Sequence, residues 1–148
     1  MTDQRRLMIP HGGYVLVCDG RKALVLRNEG GPLAADLRLQ RGFAAPPNPP
    51  THEQGTDRPP RVRLGGSRSA IEQTDWHDLA ERRFASEVAQ VLDTVDPIPA
   101  LVLVAPPRTL AELREVLSAR LRSAIIAEVG KDLTKHPVDE IQRHLRPV

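Results

Sequence analysis

Apolar positions along this chain recur with two different periods, and the switch between them outlines the fold. Tyr14-Val-Leu-Val-Cys-Asp19 is a compact apolar run ending in Asp-Gly, and Ala23-Leu-Val-Leu-Arg27 follows after Gly20-Arg-Lys22. A short Gly-containing connection between β-branched runs predicts a hairpin. Asn28-Glu-Gly-Gly-Pro32 marks a turn. Asp36-Leu-Arg-Leu-Gln-Arg41 alternates strictly and predicts a half-buried strand with its leucines inward. Three antiparallel strands in a meander result.

From Ala44 to Ser69 the pattern breaks. Six prolines, four of them in Pro46-Pro-Asn-Pro-Pro50, exclude a helix or a central strand. An extended, exposed loop over 44–70 is expected. Periodicity then returns with Trp76, Leu79 and Ala80, Phe84, Val88, Val91 and Leu92, and Val95 at three- and four-residue steps, one face of an amphipathic helix of about five turns. Thr74 or Asp75 is placed to cap its start. Pro97 and Pro99 end it, and Ala100-Leu-Val-Leu-Val-Ala105 reads as a strand buried on both faces. Thr109-Leu-Ala-Glu112 has the form of a capping box opening a second helix. Arg122–Val129 fits either period, and a strand is preferred because it repeats the helix–strand unit. Pro137 at a first helical position, with Val138, Ile141 and Leu145 at helical spacing, opens a terminal helix. The order β-β-β, loop, α-β-α-β-α predicts a single α/β domain over 1–148, with a mixed five-stranded sheet flanked by helices.

Composition narrows the class. The 148 residues, 40% hydrophobic and 27% charged, suit one globular domain. No run approaches the roughly 18 apolar residues of a membrane helix, and no signal peptide is visible, so a cytoplasmic protein is expected. Cys18, the sole cysteine, sits in an apolar run as a small core residue. Charge is unevenly placed: residues 1–70 carry 11 Lys/Arg against 6 Asp/Glu, and residues 71–148 carry 10 against 13. The basic half, mostly arginine, contains the long loop and suits an anionic partner.

Candidate chemistry concentrates in that loop. Gly65 and Gly66 allow close backbone approach to a ligand, and Arg58, Arg61, Arg63 and Arg68 surround them beside a helix N-terminus. The spacing is not that of a P-loop. Asp75-Trp-His77-Asp78 offers a general base with an orienting acid, although on a helix only Asp75 and Asp78 share a face. Lys131-Asp-Leu-Thr-Lys135-His-Pro137 reads as the start of the last helix, capped at Thr134 or His136, with Lys131 and Lys135 able to hold an anion. Asp19, Glu72, Asp75 and Asp132 fall near element ends, where a ribonuclease-H-like sheet can gather acids for two-metal chemistry. No pattern calls for a cofactor or a dedicated metal site. Aromatic residues are only 3% of the chain, so contact with nucleic acid would run from arginine to phosphate, not through base stacking.

Gln54-Gly-Thr-Asp-Arg-Pro59, Gln73-Thr-Asp-Trp-His-Asp-Leu79, Val104-Ala-Pro-Pro-Arg-Thr-Leu110 and Lys131–Pro137 together resemble the bacterial family of host attachment proteins, from about His11 to Leu145. The family name describes a phenotype and implies no chemistry. A β-meander, a Gly-Gly pair, a long helix and β-α-β-α are also similar to the middle domain of archaeal and eukaryotic class I release factors and of Pelota. That resemblance implies a basic loop touching RNA or the ribosome. In release factors the glycine pair is followed by a glutamine that helps hydrolyse peptidyl-tRNA. Here Ser67 follows, so peptide release by that route is not expected. Three functions remain: a non-enzymatic module binding RNA or the ribosome, an ester or phosphodiester hydrolase using His77 and Asp75, and an adaptor that affects attachment indirectly.

Overall fold

The structure, a computed structural model, describes the backbone of residues 8–45 and 66–145, and the side chains of 8–45 and 79–145. Three strands come first: β1 Tyr14–Cys18, β2 Lys22–Asn28 and β3 Leu37–Ala44. They are followed by α1 Gly66–Asp93, β4 Leu101–Val104, α2 Pro107–Val116, α3 Ala119–Ala124, β5 Ile125–Val129 and α4 Val138–Leu145. The strands form one sheet in the order β3-β2-β1-β4-β5. β1 pairs antiparallel with β2, and β2 with β3, while β1–β4 and β4–β5 are parallel. The expected mixed five-stranded α/β sheet is therefore what forms.

Period-2 side chains divide the central strands between two cores. Leu16, Cys18, Val25, Leu101 and Leu103 meet Phe84, Val88 and Leu92 of α1, Leu110 and Leu113 of α2, and Leu117 just after it, on one face. Val15, Val17, Leu26, Val102, Val104 and Val129 meet Ile141 and Leu145 of α4 on the other. Every residue of β4 is buried, as its continuous apolar run predicts. Cys18 is buried in the first core.

Several local expectations are corrected. β3 begins at Leu37 with that leucine buried, but Leu39 is 51% exposed. Leu39 pairs with Leu26 and so faces the same side, yet the eight-residue α4 covers only the start of the strand, through Ile141 and a Gln142 Oε1 that accepts from Leu37 N at 2.7 Å. A register shift opposite Val25/Leu26 then turns Phe43 to the other face, where its ring lies 5.8 Å from that of Phe84. Alternation thus names the inward side, and helix coverage decides which residues are buried.

α1 starts at Gly66, so it is 28 residues long and neither Thr74 nor Asp75 caps it. The loop expected over 44–70 contains the end of β3 and the first turn of α1, and its residues 46–65 lie outside the described ones. In α2 the first residue is Pro107, Pro106 stands at the N-cap, and no side chain caps the helix. Proline suits that first position because it has no N–H to satisfy and its φ is already helical. Thr109, expected as a cap, is instead buried inside the helix. The ambiguous segment contains both structures: α3, capped by the Ser118 hydroxyl accepting from Leu121 N, runs to Ala124, and β5 follows at once.

Candidate functional site

Because β1, β4 and β5 are parallel, their carboxyl ends lie along one edge of the sheet, where open α/β sheets commonly place their ligands. The hairpin after β1 is built on Asp19, whose Oδ1 accepts from Arg21 N at 2.7 Å and Lys22 N at 2.6 Å. Such an aspartate turn leaves the other carboxylate oxygen pointing away from the hairpin. That oxygen, Oδ2, meets the Thr134 hydroxyl at 3.1 Å. Thr134 lies beyond β5, where its backbone N–H at 3.1 Å and its hydroxyl at 2.8 Å both reach Asp132 Oδ1. Thr134 is 2% exposed, so it stitches the β5–α4 connection to the β1–β2 hairpin and does not cap α4. Its hydroxyl carries a single hydrogen and touches two carboxylates, so only one of them receives it at a time.

Two more acids border this edge. Glu112 of α2 is 8% exposed, with Arg108 Nε 3.9 Å from its Oε2. Glu81 of α1 lies against Gly20, where a Cβ would stand 2.8 Å from its carboxyl carbon, so a side chain at position 20 would collide with it. Cys18 feels the whole arrangement. Burial first, then the negative charge of Asp19, Asp132 and Glu112, pushes its thiol up to about 12. Its Sγ donates to Asp19 O at 3.0 Å. The thiol therefore stays neutral and unreactive at ordinary pH.

The residues singled out from sequence are distributed as follows. Arg58, Arg61, Arg63 and Gly65 lie outside the described residues. Gly66 and Arg68 fall in the first turn of α1, and Asp75 and His77 in its interior, all without a described side chain. Positions 75 and 77 belong to one uninterrupted helix and do not share a face of it. Lys131 and Lys135 are exposed on the β5–α4 connection. Of the four pooled acids, Asp19 and Asp132 are brought together through Thr134, while the side chains of Glu72 and Asp75 lie outside the described ones. Among the described residues, no three His, Cys, Asp or Glu side chains are grouped to hold a metal ion. Thr134 and Glu112 escape a sequence reading because both sit where a capping residue is normal. The Asp132-x-Thr134 spacing of an aspartate turn is the available signal.

Among the described residues, no helix is long and apolar enough to cross a membrane. A comparison with curated proteins gives no match. The family model described as "Protein required for attachment to host cells" matches residues 14–145, which takes in every strand and helix described above. The chain therefore belongs to the host attachment family.

Proposed function

We propose that the chain is a non-enzymatic binding module that grips RNA, free or within the ribosome, through the arginine-rich Gly-Gly segment. Arg58, Arg61, Arg63 and Arg68 contact phosphates, and Gly65 and Gly66 let the backbone approach them closely. The observation that carries this reading is the placement of α1. Glu81 touches the carboxyl edge at Gly20, Leu79 and Ala80 before it are exposed, and the helix continues back to Gly66. At the rise of an α-helix, Gly66 is about 22 Å from Glu81 along the axis. A ligand at that end meets free backbone N–H groups and the positive end of the helix dipole. Lys131 and Lys135, exposed on the connection that Thr134 ties to the same edge, add cations there. With Ser67 after the glycines, binding proceeds without peptide release, and the attachment phenotype in the family's description arises indirectly.

The test is RNA and ribosome association at increasing salt, for the wild type and for a variant with Arg58, Arg61, Arg63 and Arg68 all changed to Ala. Affinity should fall steeply with salt in the wild type. The variant should bind weakly, with a salt dependence shallower by roughly 0.7–0.9 for each phosphate that is no longer neutralised. Equal binding by the two proteins at low salt would remove the proposal.

A further inference from the structure

A cluster of titratable side chains lies around α4, on the opposite side of the sheet from α1. His136, Glu140 and His144 recur at four-residue steps. Glu140 Oε1 accepts from His136 Nδ1 at 2.8 Å. A carboxylate on Nδ1 holds the proton there and leaves Nε2 with a bare lone pair, the arrangement found behind metal-bound imidazoles. The His144 ring lies 5.2 Å from that of His136, centroid to centroid, with the planes 55° apart. Two imidazoles bound to one tetrahedral metal at about 2.0–2.1 Å have centroids about 5.2 Å apart, so the pair already stands at ligand spacing. Glu140, Arg143 and His144, without His136, border a depression of about 260 Å³ on one side of the pair. The Arg143 guanidinium is engaged by Asp139 Oδ2 at 3.3 Å.

We propose that His136 and His144 form a solvent-accessible site for a borderline transition-metal ion such as Zn²⁺, with Glu140 orienting His136 from behind. Two protein ligands and waters make this an exchangeable site and not a structural one. It is independent of the RNA-binding reading.

Calorimetric titration of zinc into the metal-stripped full chain tests it, with imidazole NMR signals as a second readout. One site is expected. His136→Ala and His144→Ala should each abolish it, Glu140→Gln should weaken it roughly 10- to 100-fold, and His11→Ala should leave it intact. On zinc addition the His136 and His144 signals should move together. Absence of binding below millimolar zinc overturns the proposal, as does a titration that survives either His136→Ala or His144→Ala in a variant with wild-type circular dichroism.

Discussion

The two ends of the sheet solve the same problem, how to anchor chain crossings, with opposite chemistry. At the amino end of β1 and β4, Asn28 is fully buried, and its neutral amide is matched on both sides. Its Nδ2 donates to Ile9 O at 2.7 Å and approaches Pro10 O and Gly31 O at 3.4 and 3.3 Å, while its Oδ1 accepts from Gly30 N and Asp36 N at 2.9 Å each. Nearby, Gly12 takes a φ of +82°, which a residue with a Cβ would resist, and gives its N–H to Asn28 O. At the carboxyl end, the anchor is a hydroxyl between two carboxylates, with a buried glutamate and a neutralised thiol beside it. The amino end has donors and acceptors in balance, as a purely structural knot should. The carboxyl end has more acceptors than hydrogens around Thr134, and Glu81 of α1 lies against it at Gly20. The contrast separates an edge whose polar groups are all matched from one where two carboxylates share a single hydroxyl hydrogen.

The largest effect should come from breaking the balanced end. Asn28→Ala strands several buried backbone groups and should cost roughly 3–5 kcal/mol in urea unfolding, or prevent folding. A cost below about 1 kcal/mol would show that the knot is incidental. Next comes the alkaline response of the acidic end. Below pH 9 both the folded and unfolded chains keep the Cys18 proton. Between pH 9 and about 12 only the unfolded chain releases it, so stability falls as pH rises. The loss should reach roughly 2–3 kcal/mol at pH 11 relative to Cys18→Ala, measured by unfolding at each pH. Parallel curves for the two proteins would place the thiol in a less hostile setting. The smallest effect tests the shared hydroxyl. Thr134→Val should cost about 1–2 kcal/mol at neutral pH. Asp19→Asn, which supplies the missing hydrogen as an amide donor, should cost less than Thr134→Val. The reverse order in chemical denaturation would mean that both carboxylates are already satisfied.

Much of this contrast is legible in the sequence at the level of elements and illegible at the level of contacts. Asp19 is visible as a strand end before a glycine, and Asp132-x-Thr134 as a turn. Their meeting spans 115 positions and depends on β5 lying two strands from β1. No local pattern encodes that distance. Asn28 reads as one more turn residue until burial shows that all its polar atoms are engaged. The start of α1 is misplaced from sequence because Gly65-Gly66 and the prolines before it look like loop, whereas helix begins at the second glycine. Capping rules err in a consistent way at Thr109 and Thr134: both residues have cap chemistry, and both are buried and used elsewhere.

By itself the sequence determined the order and type of the main elements, the buried character of β4 and Cys18, and membership in the host attachment family. Periodicity and apolar runs are local consequences of backbone geometry, and they survive without knowledge of neighbours. Only the tertiary structure decided which strand ends share an edge, which leucine of β3 is covered, and which acids surround the thiol. Those outcomes depend on register and on where helices lie across the sheet, and both are settled by packing between residues far apart along the chain.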